Sequence, residues 1–265
     1  MSSEFRWSRG AAYDGWVGRW SRLVAAEFVP WLGVPAGATW IDVGCGTGEL
    51  SRAILRIAAP IKVVSLDPSA GYLDHARAST ADARVEFRRG NDQDVVSLGL
   101  VADAVVSGLV LNFVPDPIAA LRAAAESTAP GGLIAAYVWD YAEGMAMLRH
   151  FWEAAVAEDP AAISKAEGAR FPICAAGALR SVFETAGLVD VVERPIDVTD
   201  RYADFEEYWT PFLSGEAPAP GYVVSLSEDR QAKLRELVFT SLPIAADGSI
   251  TLTCRAWAVR SRRLI

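Results

Sequence analysis

The chain has 265 residues, a formal net charge of −8 and 52% hydrophobic residues, and this length accommodates one large α/β domain or one domain with an inserted cap. The acidic balance disfavours a nucleic-acid substrate, because binding to a phosphate backbone normally requires clustered Lys and Arg side chains. No uninterrupted apolar run approaches the length of a membrane span, so we expect no membrane-spanning segment.

Cysteine usage and the N-terminal residues indicate the compartment. Cys45, Cys174 and Cys254 are odd in number and widely scattered, and they show no metal-ligand spacing. This pattern is typical of reduced thiols and predicts no metal site. Residues 1–7 contain no apolar core of the kind found in signal peptides. We therefore expect a soluble, cytoplasmic protein.

The first predicted element is an amphipathic helix over residues 18–32, with Trp20, Phe28 and Trp31 at helical spacing. Strands and helices then alternate. The predicted strands cover residues 38–43, 62–66, 85–89, 103–107 and 132–139, and the helices cover 49–58, 70–79 and 117–127. Such alternation predicts a doubly wound parallel sheet with right-handed crossovers, on which ligands collect beyond the carboxyl ends of the strands.

The alternation ends after residue 139. Helical patterns over 141–172 and 201–245 are interpreted as insertions that together roof the ligand site. Between them the sequence predicts a helix over 175–185 and a strand over 189–198. A last strand over 249–259 is expected to pair antiparallel beside the preceding one.

A glycine-rich turn, Asp42-Val43-Gly44-Cys45-Gly46-Thr47-Gly48, joins the first strand to its helix. It differs from the dinucleotide pattern G-x-G-x-x-G, because the position of the third glycine is Glu49. A carboxylate there opposes a pyrophosphate but suits a positively charged sulfonium. Asp67 ends the second predicted strand, where an acidic side chain can accept hydrogen bonds from both ribose hydroxyls of an adenosine-containing ligand.

Further motifs follow the glycine turn in a characteristic order. They are Leu66-Asp67-Pro68-Ser69, Gly90-Asn91-Asp92-Gln93-Asp94, Asp103-Ala104-Val105-Val106-Ser107, Leu111-Asn112-Phe113-Val114-Pro115-Asp116-Pro117 and Pro130-Gly131-Gly132-Leu133. With this set of motifs, over roughly residues 10 to 140, the chain resembles the class I S-adenosylmethionine-dependent methyltransferases. The resemblance is nearest to the small-molecule group that includes the ubiquinone/menaquinone biosynthesis methyltransferases.

The resemblance implies S-adenosylmethionine as the cofactor and a mostly parallel, seven-stranded Rossmann-like sheet with an inserted helical cap. It also implies a division of the chain into segments. We expect residues 1–140 to form a cofactor-binding core with N-terminal covering helices, 141–172 and 201–245 to form the cap, 173–200 to supply a core helix and strand, and 246–265 to form the final strand and tail.

The glycine turn and the strand ends supply most of the expected cofactor contacts. Gly44, Cys45 and Gly46 are expected to offer backbone groups to the methionyl end of the cofactor. Gly108 and Leu109 lie just past another strand end. Asp67 is expected to hold the ribose, although the sequence Asp-Pro-Ser is also a signal for the start of a helix. The resemblance further implies that Asp42 orients the cofactor's amino group and that Pro68 flanks the adenine; the alternative for Asp42 is that it only braces the turn.

Two other segments receive cofactor roles from the resemblance. The loop of Asn91, Asp92 and Gln93 is expected to meet the adenine, with Asp92 as the side-chain contact and Gln93 contributing its backbone. Tyr13 and Arg19 belong to an N-terminal segment that covers the cofactor in similar enzymes. Arg19 is the expected partner of the cofactor's carboxylate, because a guanidinium binds carboxylate in bidentate fashion.

Candidates for a general base are few. His75 is interpreted as a solvated residue, whereas Tyr137 and Tyr141 are candidates for the substrate side of the site. His150 is a further candidate, and ordinary packing beside Phe151 and Trp152 is the alternative interpretation for it. The resemblance would place a histidine near Asn112, and this chain has none there. Methyl transfer depends largely on positioning donor and acceptor, so a strong base is not required.

Phe205, Tyr208, Trp209 and Phe212 form an aromatic face at helical spacing. Core packing is the first interpretation, and an apolar wall for a methyl acceptor is the second.

These observations predict a methyltransferase that acts on a small, partly apolar metabolite. The alternative is a noncatalytic module that binds S-adenosylmethionine or S-adenosylhomocysteine as a sensor or partner subunit. The identity of the acceptor stays open, and so does the oligomeric state, with a homodimer as one option.

Overall fold

The computed structural model describes residues 18–215 and 217–264, and their centre is a seven-stranded sheet in the order β3-β2-β1-β4-β5-β7-β6. The strands are β1 (Thr39–Val43), β2 (Lys62–Asp67), β3 (Val85–Arg89), β4 (Ala102–Gly108), β5 (Thr128–Trp139), β6 (Val189–Tyr202) and β7 (Ile250–Arg262). Strands β1 to β5 are parallel, and β7 is antiparallel to both of its neighbours. The predicted sheet and the direction of its last strand are therefore confirmed.

Helices accompany the sheet through the described part of the chain. They are α1 (Arg19–Leu32), α2 (Glu49–Ile57), α3 (Ala70–Ser79), α4 (Pro117–Glu126), α5 (Ala146–Glu158), α6 (Glu167–Arg170), α7 (Ala178–Thr185), α8 (Phe205–Trp209), α9 (Pro218–Val224) and α10 (Glu228–Ser241). Short 3₁₀ turns cover Val96–Leu98, Pro160–Lys165, Pro172–Cys174 and Thr210–Leu213.

Local sequence explains where several of these helices begin and end. Helix α1 stops at Gly33, whose φ of 66° is left-handed and favours glycine. Helix α3 begins after Ser69, whose Oγ accepts a hydrogen bond from the Tyr72 amide at 3.3 Å. Helix α4 has Asp116 as its N-cap and proline at its first position. The two N-caps therefore start return helices after β2 and β4, and the C-cap at Gly33 ends α1 ahead of β1.

Successive residues of the central strand pack into different cores, as expected for a sheet covered on both faces. On β1, Trp40 belongs to a large cluster with Trp20 and Phe28 of α1, whereas Ile41 belongs to a second cluster with Leu121 of α4. All five side chains are fully or almost fully buried. Each face of the sheet therefore has its own apolar core.

The last two strands are longer than the sequence predicts. They pair continuously from Val192 and Arg260 to Tyr202 and Ile250, so the ladder carries β6 past residue 198. Backbone pairing depends on the neighbouring strand. The residues at the end of β6 are polar, so the hydrophobic pattern of the sequence does not predict a strand there. In the described residues, no helix combines the length and the apolar character that crossing a membrane requires.

Candidate functional site

A cavity of about 980 Å³ opens at the carboxyl ends of β1, β2, β4 and β5. One half is lined by the strand ends and the glycine turn. The other half is lined by residues of both segments predicted to form the cap, namely Tyr141, Leu148, Glu167, Phe171, Ala217 and Pro218. The volume lies near the upper end of the usual range for ligand sites, about 300–1,000 Å³.

The glycine turn requires its glycines for two different reasons. Gly44 has a φ of 75°, and a Cβ there would lie 2.5 Å from a methyl group of Val110. Gly46 has a φ of 53°, and a Cβ there would meet no atom within 4 Å. The first glycine permits close packing of the next loop, and the second leaves bare backbone at the cavity wall.

The amide hydrogens of this turn already have partners inside the protein. Gly44 and Cys45 both donate to the carbonyl of Leu66 at 2.8 Å, and Gly46 donates to Asp67 Oδ2 at 2.9 Å. What the turn can still offer a ligand is carbonyl oxygen, which suits a positively charged amino group. The Cys45 thiol is buried and its pKa is raised by that burial, so it is unreactive.

Asp67 anchors the turn to the end of β2. Its Oδ2 accepts from the Gly46 amide and its Oδ1 accepts from the Ser69 amide at 2.8 Å. Burial raises its pKa despite these two hydrogen bonds. The side chain is 7% exposed and lines the cavity together with Pro68. Both predicted interpretations of Asp67 are therefore compatible, because the carboxylate braces the turn and also borders the cavity.

Asp42 is a buried acid with one oxygen satisfied and one not. Its Oδ2 accepts from the Ser51 hydroxyl at 2.6 Å, whereas Oδ1 has no hydrogen-bond partner. Burial is the main cause that raises its pKa to about 7, and the nearby Asp67 raises it further. Asp42 also lines the cavity. An unpartnered buried carboxyl oxygen at a cavity wall is what a cationic amino group would satisfy, so these residues fit S-adenosylmethionine.

The wall continues through the end of β4. Gly108 and Leu109 line the cavity, and Leu109 holds a left-handed φ of 62°. A Cβ on Gly108 would lie 2.6 Å from the hydroxyl oxygen of Tyr137, which is itself buried in the wall. Gly108 is therefore small because Tyr137 occupies the adjacent space.

Aromatic residues and one acid form the cap-side half. The Phe171 ring lies 5.1 Å from the Phe113 ring and 5.9 Å from the Tyr141 ring. Glu167 is 4% exposed, and its Oε2 accepts from Trp152 Nε1 at 2.5 Å. Burial raises the pKa of Glu167 to about 7. The sequence prediction missed Glu167 and Phe171, since neither belongs to a motif.

Other predicted site residues lie away from this cavity. Arg19 binds Asp200 at 2.5 Å and Glu207 at 2.8 Å, and the residues lining the cavity do not include it. Its predicted pairing with a cofactor carboxylate stays a prediction without structural support, because two protein carboxylates already hold the guanidinium. Tyr13 lies outside the described residues.

The predicted adenine loop is held by its own hydrogen bonds. Asn91 Oδ1 accepts from the amides of Gln93 and Asp94, and Gln93 Nε2 donates to Asp92 Oδ2 at 2.8 Å. Asn91, Asp92 and Gln93 are not among the lining residues, and their contact with adenine stays a prediction.

His150 lies on a separate, open cavity of about 450 Å³ with Asp197 and Arg255. Burial lowers its pKa and its Nδ1 has no partner, but His150 is not among the residues that line the cavity of the glycine turn. Tyr137 and Tyr141 do line that cavity. Within the described residues, no three His, Cys, Asp or Glu side chains are grouped so that they could hold a metal ion.

The aromatic face of α8 and the following turn is core. Phe205, Tyr208, Trp209 and Phe212 are all buried, and the Tyr208 hydroxyl donates to the Met147 carbonyl at 2.7 Å. Core packing is therefore the correct one of the two sequence interpretations.

Glu49, the carboxylate that directly follows the glycine turn, already has two arginine partners. Glu49 contacts Arg52 at 2.7 Å and Arg22 at 3.5 Å, so the carboxylate that follows the turn is largely neutralised. Asp42, Asp67 and Glu167 leave the cavity acidic, with Arg89 at its rim. This balance suits a cationic ligand better than a pyrophosphate.

A seven-stranded sheet with an antiparallel β7, a glycine turn after β1 and an acid at the end of β2 define a class I S-adenosylmethionine-dependent methyltransferase. A family model described as "Methyltransferase domain" matches residues 13–193, which is more than half of the chain. The chain therefore belongs to this family, and the predicted class and its cofactor are confirmed at that level.

Relatives of known name cover only part of this chain. A ubiquinone biosynthesis O-methyltransferase of Xanthomonas axonopodis pv. citri is 34% identical over 110 residues, 41% of this chain and 46% of that protein. An enzyme of the same name from Ruegeria pomeroyi is 34% identical over 118 residues, 43% of this chain and 47% of that protein. The chain thus spans about half the length of these relatives.

Solved structures share the fold across nearly the whole chain. A Bacillus halodurans protein has a TM-score of 0.56 at 14% identity, covering 91% of this chain and 99% of its own. Phosphoethanolamine N-methyltransferase 2 of Haemonchus contortus, solved with S-adenosyl-L-methionine, has a TM-score of 0.55 at 14% identity, covering 97% of this chain and 57% of its own. These similarities concern the fold.

Proposed function

We propose that the protein transfers a methyl group from S-adenosylmethionine to a small, partly apolar metabolite. The observation that carries this proposal is the shape of the cavity. It extends from the glycine turn to an aromatic, cap-side half, so one space offers room for the cofactor beside an acceptor. Enzymes that hold two reactants side by side gain much of their rate from that arrangement.

The cofactor half would hold S-adenosylmethionine through the strand ends. In this proposal Asp67 binds the ribose, and Asp42 and the carbonyls of the glycine turn bind the cofactor's amino group. Gly108 and Leu109 form the opposite wall of the cofactor half. When bound, the cofactor supplies an electrophilic methyl group on a sulfonium. The buried carboxyl groups favour this cation by charge, and the tight turn orients it.

The cap-side half would hold the acceptor. Tyr141 and Phe171 supply ring surface, and Phe113 is half-exposed at the edge of the cavity. Apolar walls with few polar groups select ligands by shape and exclude water. The partial similarity to ubiquinone biosynthesis O-methyltransferases supports a small-molecule acceptor. We also propose that residues 141–172 and 201–245 act as the cap, since both segments line this half.

Calorimetric titration tests the cofactor assignment directly. S-adenosylmethionine and S-adenosylhomocysteine are each expected to bind the wild-type protein saturably. Asp67→Ala is expected to weaken binding at least about tenfold, because it removes both the ribose acceptor and the anchor of Gly46. Asp74→Ala, at an exposed acid of α3, serves as the matched control. Equal binding by wild type and Asp67→Ala would remove the ribose assignment.

Incubation with methyl-labelled cofactor and a fractionated metabolite extract tests the transfer. An enzyme yields a labelled small-molecule product that depends on Asp42 and Asp67. The alternative, a noncatalytic sensor, binds the cofactor and yields no labelled product in any fraction. Absence of saturable cofactor binding by a folded protein would contradict both functions.

A further inference from the structure

Glu167 is a buried acid on the cap side of the cavity, at the first position of α6. It is 4% exposed and lines the cavity, and the Trp152 indole donates a hydrogen bond to one of its oxygens. The carboxyl group is thus held in place by a neighbouring helix. The cofactor roles proposed above do not use it.

Glu167 forms no ion pair within the described residues; the charge of Arg170 acts on it and lowers its pKa, but less strongly than burial raises it. None of the ion pairs among residues 18–215 and 217–264 includes it. The contrast within the same cavity is Glu49, which has both Arg52 and Arg22. Arg170, one turn further along, places its guanidinium 5.5 Å from the centre of the Phe171 ring. Buried charges in proteins are normally paired, so a ligand cation is the natural complement of this carboxylate.

The neighbouring surface also favours a cation. Phe171 follows Glu167 by one helical turn, and its ring packs between Phe113 and Tyr141. Aromatic ring faces attract ammonium groups, and this attraction grows when water is excluded. A neutral hydroxyl group would gain only a hydrogen bond from Glu167, and an anion would be repelled by it.

We propose that the cap-side half binds a small organic amine whose ammonium group pairs with Glu167. This inference rests on the proposed function, because it identifies the chemical class of the methyl acceptor. It does not state which atom of the amine is methylated. The aromatic wall holds the apolar body of the ligand, and Glu167 selects for its charge.

Three probes that share a phenylethyl group and differ in charge test this proposal without any measurement of turnover. They are 2-phenylethylamine, 2-phenylethanol and 3-phenylpropanoate, titrated at pH 8 into protein saturated with S-adenosylhomocysteine. Wild type is expected to bind the amine at least about tenfold tighter than the alcohol, and the carboxylate most weakly. Glu167→Gln keeps an oxygen for the Trp152 indole and is expected to reduce the amine-to-alcohol ratio to near one.

Glu153→Gln is the matched control, because Glu153 is an exposed glutamate of α5 and its loss should leave the ratio unchanged. Equal or better binding of the alcohol by wild type would overturn the inference. Retention of the amine preference by Glu167→Gln, or absence of amine binding while S-adenosylhomocysteine binds, would overturn it as well. Failure of S-adenosylhomocysteine to bind would instead count against the proposed function. Titrating the amine into the ligand-free protein then tests the amine site separately from the cofactor site.

Discussion

At the scale of single residues, burial sets the ionisation of Asp42. Its pKa is raised to about 7, so below that pH the carboxyl group is mostly neutral in the ligand-free protein. A bound cationic amino group favours the carboxylate, and a protonated Asp42 must then release its proton. The proposed contact of Asp42 with the cofactor's amino group therefore links cofactor binding to proton release.

The linkage predicts a pH-dependent affinity. The Kd for S-adenosylmethionine is expected to rise as the pH falls below 7, by up to about tenfold per pH unit. Titrations between pH 5.5 and 8 measure this slope. Asp42→Asn should flatten it, whereas Glu167→Gln should leave it in place, because Glu167 belongs to the acceptor half. A slope that persists in Asp42→Asn would show that another group is responsible.

The same residue should reduce the stability of the ligand-free protein. Burial raises its folded-state pKa from the ordinary 3.8, so the folded protein retains this proton at pH values where the unfolded chain has lost it. The free energy of unfolding therefore falls as pH rises between about 4 and 7. We expect Asp42→Asn to raise the free energy of unfolding at pH 8 by about 1–3 kcal/mol while weakening cofactor binding. Chemical denaturation at pH 8 provides the measurement, and an unchanged or lower value would contradict the assignment.

At the scale of elements, Arg19 joins α1 to the far end of the sheet. Its guanidinium binds Asp200 of β6 and Glu207 of α8, and it lies 4.4 Å from the centre of the Tyr202 ring. The side chain is about one-quarter exposed, so solvent screens these pairs only in part. This position makes Arg19 a connector between elements.

Arg19→Ala separates the connector role from the predicted cofactor role. We expect a loss of about 1–3 kcal/mol in the free energy of unfolding, because two carboxylates lose their shared cation. Cofactor affinity should change less than about threefold once the variant is folded. Arg180→Ala, at an exposed pair on α7, is the control for loss of a surface charge. A large loss of affinity with little change in stability would instead support the pairing with the cofactor's carboxylate.

The packing of β4 against β5 gives a second prediction at this scale. A methyl group on Gly108 would overlap the ring of Tyr137. Gly108→Ala is therefore expected to lower the free energy of unfolding by about 1–3 kcal/mol and to weaken cofactor binding, because the end of β4 must move. Adding Tyr137→Ala should recover part of the binding by opening that space. Calorimetry on the two variants measures this, and a fully additive loss would exclude the steric explanation.

At the scale of the whole molecule, the cavity lies between the strand ends and segments that are distant in sequence. A ligand that fills its cofactor half should stabilise the folded protein. At 100 times its Kd, S-adenosylhomocysteine is expected to add about 2.7 kcal/mol. For a chain of this size, that corresponds to a rise in Tm of about 5–8 °C. Thermal unfolding with and without the ligand measures the shift, and Asp67→Ala should show about half of it or less at the same ligand concentration.

The cofactor half was predictable because its determinants are local. A glycine turn directly after an apolar strand, and an acid at the end of the next strand, place Asp42, Gly44, Gly46 and Asp67 at one sheet edge in any parallel sheet. All four line the cavity. The alternation of strands and helices up to residue 139 predicted the parallel part of the sheet, whereas the full strand order is seen only in the structure.

The acceptor half depends on contacts that no local pattern encodes. Glu167 belongs to no motif, and only the tertiary structure brings it to Trp152 and to the cavity. Arg19 has a plausible cofactor role by position in the chain, yet long-range pairing assigns its charge to Asp200 and Glu207. The sequence alone thus determined the fold class and which residues line the cavity at the strand ends, because both depend on residues close together in the chain. The tertiary structure alone decided which acid lines the cap-side half of the cavity, because that depends on segments folded over the sheet.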